Sequence, residues 1–133
     1  MTLFQKTGNE LYQNLGKLFY AVALADKNVR PIEVEKLKET VKQQWLSVDA
    51  IEDEFGSDAA YQIEIVFDWL KEEEKESELY FEEFKDFFKE HNGRFNKKIK
   101  VLIWKIANAI ASSFSGKNKS ELILLSKIKA LLQ

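Results

Sequence analysis

Oxygen-bearing side chains gather at a short polar corner in the stretch LFYAVALADKNVRPIEVEKL, residues 18–37. Asp26 and Asn28 stand two residues apart, which is how a calcium-binding loop begins. An EF-hand also requires glycine at its sixth position and glutamate at its twelfth. Counted from Asp26, these positions hold Pro31 and Leu37, so the pattern excludes an EF-hand.

Asp26 and Glu33 are the two carboxylates that can approach each other across this corner, and two interpretations stay open. In the first, Asp26 ends one helix and Glu33 complements the N-terminal dipole of the next. In the second, both hold a divalent cation, Ca²⁺ or Mg²⁺, because hard cations prefer oxygen ligands. Asp26 and Glu33 are therefore the candidate metal ligands.

Two other side chains have catalytic or ligating chemistry, and a structural role suits each of them better. His91, the single histidine, falls near the end of a predicted helix, where it can complement the helix dipole. Asp68 follows Phe67 in VFDWL, and helical geometry can turn it to water; the alternative is a buried carboxylate with a partner or a metal. The sequence contains no P-loop, nucleophile elbow or dinucleotide-binding fingerprint, so we expect no catalytic residue and no enzyme.

The elements that must position these residues are helical, because apolar residues recur at steps of three and four almost throughout. The first helix is predicted over residues 9–25. Further helices are predicted to begin at Pro31, after Ser57 or Asp58 as N-cap, and after Asn96 as N-cap. Asn118 with Glu121 resembles a capping box for a last helix that has Leu122 inward. The predicted common core comprises Leu18, Val22, Leu37, Ile106, Ile110 and Leu125.

These helices predict an all-α fold, a single compact bundle of about six to seven helices with residues 1–133 as one domain. The chain of 133 residues is long enough to bury a core, and one proline with five glycines favours long helices. AVALADKNVRPIEVEKL (21–37) can be laid over ANAIASSFSGKNKSELILL (107–125). This helix-corner-helix pseudo-repeat predicts two halves that pack as one bundle.

Charge is unevenly distributed along the chain, although the net charge is only −2. Residues 49–90 hold four basic and sixteen acidic side chains, and residues 91–133 hold nine basic and one acidic. Either these segments neutralise one another within the fold, or they form a polarised surface that steers a charged partner. The acidic middle would repel phosphate, so we expect no nucleic-acid partner.

Two apolar runs raise the question of a membrane. The run from Leu18 begins after Lys17, is about as short as the apolar region of a signal peptide can be, and has Glu10 where a basic leader should lie, so we do not expect a signal peptide. The run over residues 99–114 carries lysines and is shorter than the roughly 18 residues needed to span a bilayer. We therefore expect a chain that does not span the membrane. The absence of cysteine fits a reducing cytoplasm.

Both ends of the chain resemble a known family. LFYAVALADKNVRPIEVEKLKETV resembles the first signature of TerB-like domains, the tellurite-resistance TerB family: an Ala-rich helix, an Ala-Asp-Gly-type corner and a Pro-Glu-Glu-type helix start. IANAIASSFSGKNKSELILLSKI resembles the second, C-terminal signature. Residues 42–100 match in helical character alone. The corner aspartate of the family falls on Asp26 and its helix-start glutamate on Glu33.

The resemblance implies a non-enzymatic interaction or scaffold module in bacterial stress response, located in the cytoplasm, with protein partners that include envelope-associated ones. It also implies weak binding of a divalent cation, which some members hold with acidic corner residues. Lys27 stands where the family has a glycine, and Ser115 stands where the second corner has an aspartate, before Gly116. The alternative is therefore a metal-independent helical adaptor that retains the fold and has lost the metal site.

Overall fold

The structure, a computed structural model, describes residues 3–26, 31–46, 56–73, 76–114 and 119–133. Within these ranges the chain forms six α-helices and two 3₁₀ turns, and no strand occurs there, so the predicted all-α bundle is confirmed. The corners at 27–30 and 115–118 lie outside the described part, and the correspondence between the two helix-corner-helix units stays a prediction. The elements are α1 (Leu3–Ala23), η1 (Leu24–Asp26), α2 (Pro31–Leu46), α3 (Gly56–Glu73), α4 (Ser77–Glu90), η2 (Asn92–Arg94), α5 (Lys97–Phe114) and α6 (Lys119–Leu132).

Helix α1 is the centre of the bundle. It packs most extensively against α3 and α4, and it also contacts α5 and α6. Every residue from Leu18 to Ala23 is buried, whereas an amphipathic helix at a protein surface buries a single stripe. A helix with neighbours on all sides has no solvent face, which is why this apolar run has no polar side.

Helices α1 and α3 come close together at Gly16. A Cβ atom placed on Gly16 would lie 2.7 Å from Cγ1 of Val66 and 3.1 Å from its Cβ. Both residues are buried. The missing side chain of Gly16 therefore gives α3 room to lie against α1.

Helix α4 contributes a cluster of aromatic side chains to the core, and Phe95 joins this cluster to α5. The Phe95 ring meets Phe84 and Phe87 edge-on, with centroids 5.9 Å and 6.1 Å apart, and lies 4.7 Å from Phe88. Nζ of Lys100 on α5 lies 5.7 Å from the Phe88 centroid. The buried aromatic residues of α4 are Tyr80, Phe81, Phe84, Phe87 and Phe88.

Three of the predicted helix starts can be compared with the structure. Helix α2 begins at Pro31, as predicted. Asn96 is confirmed as the N-cap of α5, since its Oδ1 accepts a hydrogen bond from the backbone N–H of Ile99 at 2.9 Å. Ser57 and Asp58 are not N-caps, because α3 begins earlier, at Gly56. The N–H groups of a first turn have no partner within the helix, so the apolar period does not fix where a helix begins.

The predicted common core is confirmed, and one inward position on α6 is wrong. Leu18, Leu37, Ile106 and the other three predicted residues are all buried in one cluster. Leu122, predicted inward, is 47% exposed, and Glu121 before it is buried. The continuous run from Leu122 to Leu125 allows several helical phases, and packing selects the one that buries Leu124 and Leu125. None of the described helices has the length and apolar character that a membrane span would need.

Candidate functional site

The first polar corner begins where η1 ends. Asp26 is the last residue of η1 and Glu33 is the third residue of α2. η1 packs against α1, α4 and α6, so the corner starts where the first and last helices meet. Among the described side chains, no three His, Asp or Glu residues gather closely enough to hold a metal ion. The side chains of Asp26, Glu33 and Ser115 lie outside that part, and the corner site stays a prediction.

Asp68 faces water and pairs with a lysine of the neighbouring helix. Its side chain is 63% exposed, and its two carboxylate oxygens lie 2.9 Å and 3.0 Å from Nζ of Lys38 on α2. Glu35 approaches the same Nζ at 3.6 Å. The hydrogen bond to Asp68 raises the pKa of Lys38, partly opposed by desolvation. The pair ties α2 to α3, and the alternative of a buried carboxylate is wrong.

His91 closes α4. Its backbone N–H donates to the carbonyl of Phe87 at 2.9 Å, and its ring lies 4.5 Å from the Phe87 ring, tilted by 35°. Nε2 lies 4.0 Å from the carboxylate of Glu90. These contacts place His91 at the end of a helix, as predicted, in a packing role.

Two large apolar side chains on α3 face water. Ile65 is 50% exposed and Trp69, one turn further on, is 47% exposed. Their position follows from the inward stripe of α3, which packs against α1 and α2 and turns the intervening residues outward. That stripe consists of Ile63, Val66, Phe67 and Leu70. We call Ile65 and Trp69 the α3 apolar pair; both positions fall off the helical stripe in the sequence, which is the signal that our sequence reasoning missed.

Helix α4 presents acidic side chains to water at every fourth residue: Glu78, Glu82, Asp86 and Glu90, the carboxylate column. A step of four residues rises about 6 Å along a helix, so neighbouring carboxylates repel one another. Each like-charge pair destabilises a helix by about 0.2–0.5 kcal/mol, and the column contains three such pairs. Within the described residues, Glu78, Glu82 and Asp86 form no ion pair that would offset this cost.

Helix α5 presents the opposite charge. Lys97, Lys98 and Lys105 are exposed around Val101, which is 58% exposed; we call these four residues the lysine face. α5 contains no acidic residue, and the one carboxylate between residues 91 and 133 belongs to the buried Glu121.

The predicted charge polarity is therefore present on the described surface. Between described residues, ion pairs join Lys17 to Glu83, Lys38 to Asp68 and Glu35, and Glu90 to His91. None of them joins the lysine face to the carboxylate column, so in the described part these two faces do not neutralise one another.

Comparison of the chain with family models, with curated proteins and with solved structures finds no match in any of the three.

Proposed function

We propose that this chain is a non-enzymatic interaction module of the TerB type that acts in bacterial stress response. The observation that carries the proposal is the α3 apolar pair, Ile65 and Trp69, which lies on the water side of a helix whose other side is packed. Covering apolar surface yields roughly 25 cal/mol per Å² removed from water. The resemblance of both chain ends to the TerB signatures supports the family assignment.

The surroundings of the pair have the composition of a protein-binding surface. Tryptophan is over-represented among the residues that dominate binding energy at interfaces. Asp68, Lys71 and Glu72 are exposed on the same helix and supply the polar rim that encloses such anchors. A partner would place an apolar pocket over Trp69 and contact these charges around it.

The test is capture of a partner from a native bacterial lysate. We expect the wild-type chain to retain at least one protein that the variant Ile65→Ser with Trp69→Ser does not retain. The control is Leu122→Ser, which removes a comparably exposed apolar side chain from α6 and should leave capture unchanged. If the double variant at Ile65 and Trp69 retains the same proteins as the control variant, the α3 apolar pair is not the binding surface.

The cellular part of the proposal is a cytoplasmic module whose partners include envelope-associated proteins. We expect the captured protein to be found with the inner membrane on cell fractionation, and the chain itself to remain in the cytoplasmic fraction. Deletion of the gene should lower the tellurite concentration that arrests growth. Growth that is unchanged by the deletion would refute the stress-response part, while the binding role would stand on the capture experiment.

The corner of Asp26 and Glu33 distinguishes a metal-responsive module from a metal-independent adaptor. With at most two carboxylates, we expect Ca²⁺ or Mg²⁺ to bind with a Kd of about 10⁻⁴ M or weaker. At a free concentration equal to Kd, the cation adds about 0.4 kcal/mol to stability. Asp26→Asn should abolish the calorimetric binding signal, and the control Glu39→Gln, which removes an exposed carboxylate elsewhere on α2, should leave it unchanged. If the wild-type chain gives no signal, the metal-independent adaptor is the better description.

A further inference from the structure

The carboxylate column of α4 and the lysine face of α5 are complementary surfaces carried by one chain. Lys97 and Lys105 are eight residues apart on α5, a rise of about 12 Å. The same rise separates Glu78 from Asp86, and Glu82 from Glu90, on α4. Two charges of one face can therefore meet two charges of the other when the helices lie alongside each other.

Apolar side chains lie within both faces. Leu79, beside the carboxylate column, is 52% exposed, and Val101, within the lysine face, is 58% exposed. Contact between the faces would bury both side chains and exclude water from the surrounding charges, which strengthens their attraction. Each face thus combines a charge pattern with an apolar contact.

The overall charge of the chain permits two copies to approach. The net charge is −2, so the long-range repulsion between copies is small. In the described part, Lys97, Lys98 and Lys105 form no ion pair, and neither do Glu78, Glu82 and Asp86. Because these charges are exposed and lack partners of opposite sign within 4.0 Å there, a second copy can pair them without breaking contacts in the fold.

We propose that this chain associates with a second copy of itself, the carboxylate column of one copy lying against the lysine face of the other. A two-fold dimer makes this contact twice, and a head-to-tail arrangement makes it once per interface. The association uses α4 and α5 and requires no contact from the α3 apolar pair, so it stands or fails independently of the proposed function.

The experiment measures the mass of the chain by sedimentation equilibrium. At an ionic strength of about 0.01 M, where the screening length is about 30 Å, we expect dimers or larger species. At about 1 M, where it is about 3 Å, we expect Kd to rise by at least about tenfold. A wild-type chain that stays monomeric at the lower ionic strength would overturn the proposal. An association that is indifferent to salt would also overturn it, in favour of an apolar interface.

Charge-reversed variants identify the faces. Replacing all four carboxylates of the column by lysine (Glu78→Lys, Glu82→Lys, Asp86→Lys, Glu90→Lys) reverses the column, and Lys97→Glu, Lys98→Glu and Lys105→Glu together reverse the lysine face. Each variant alone should be monomeric, and an equimolar mixture should form a 1:1 complex, because both contacts are complementary again. Lys42→Glu, at an exposed position on α2, is the control and should associate like the wild type.

Two further outcomes would contradict the pairing of the faces. In the first, each variant folds, as judged by circular dichroism, but the mixture remains monomeric. In the second, the wild-type chain is monomeric and binds vesicles of anionic lipid through Lys98 and Lys105. The lysine face would then be a lipid-binding surface.

Discussion

The close approach of α1 and α3 at Gly16 can be tested by adding a single methyl group. The Cβ of Gly16→Ala would lie 2.7 Å from Cγ1 of Val66, which is about 0.7 Å inside the 3.4 Å limit of ordinary contact. Val66 is buried, and a β-branched residue in a helix strongly prefers one rotamer, so Cγ1 cannot readily turn away. The backbone of α3 must therefore move away from α1.

Two opposing terms set the expected magnitude. Overpacking of a core costs about 1–3 kcal/mol. Replacing glycine by alanine within a helix returns about 0.8–1.0 kcal/mol. We expect Gly16→Ala to lower the free energy of unfolding by about 1 kcal/mol, measured by urea denaturation monitored by circular dichroism.

A double-mutant cycle separates the clash from other effects of the substitution. Val66→Ala removes the 2.7 Å contact with Cγ1 and leaves the Cβ at 3.1 Å, so Gly16→Ala introduced into that background should cost less than in the wild type. The difference between the two backgrounds is the coupling energy, which we expect to be about 0.5–3 kcal/mol. Gly93→Ala is the control, because nothing lies within 4 Å of the added atom. If Gly16→Ala has the same effect with valine and with alanine at position 66, the close approach of α1 and α3 is refuted.

Three further predictions concern stability. Leu37→Ala should cost about 2–5 kcal/mol in a denaturant melt, since Leu37 is fully buried, and a loss below about 1 kcal/mol would contradict its place in the core. Asn96→Ala should lower the free energy of unfolding by about 1 kcal/mol through loss of the cap on α5, whereas Asn96→Ser should keep most of that stabilisation because serine can also cap. Equal losses for the two variants would exclude capping. The raised pKa of Lys38 adds stability that is fully present below its unfolded pKa of about 10.4 and is lost as pH rises through the folded value. Above about pH 10, the unfolding free energy of the wild-type chain should therefore fall more steeply with pH than that of Asp68→Asn. Parallel curves for the two proteins would refute the contribution of the Lys38–Asp68 pair. Burial raises the pKa of Tyr20 in both proteins, so Tyr20 does not affect the comparison.

Local patterns predicted most of the helical core, because the helical period is a property of neighbouring residues. The cap at Asn96 and the burial of Leu37 follow from such patterns. Which side of α6 faces the core does not follow from them, because an unbroken apolar run fits several orientations of the helix about its axis and packing selects one. That choice placed Leu122 in water and Glu121 in the core.

Contacts between helices depend on how the bundle is assembled, and the sequence could not predict them. The partner of Asp68 is Lys38, thirty residues earlier, and nothing near Asp68 in the sequence identifies it. The approach of Gly16 to Val66 likewise exists only once α3 lies on α1. The proximity of Trp69 to Ile65, four residues earlier, could have been inferred from the helical period, whereas the exposure of both side chains depends on which sides of α3 the other helices cover.

The central claim is that Trp69 anchors a protein partner. Its most direct test is the Kd between the purified chain and a protein captured from lysate, measured by isothermal titration calorimetry for the wild type, Trp69→Ala and Leu122→Ala. An interface anchor contributes about 2 kcal/mol or more, so Trp69→Ala should weaken binding by about thirtyfold or more while Leu122→Ala, an equally exposed position on α6, leaves Kd unchanged. The same Kd for the wild type and Trp69→Ala would contradict the claim.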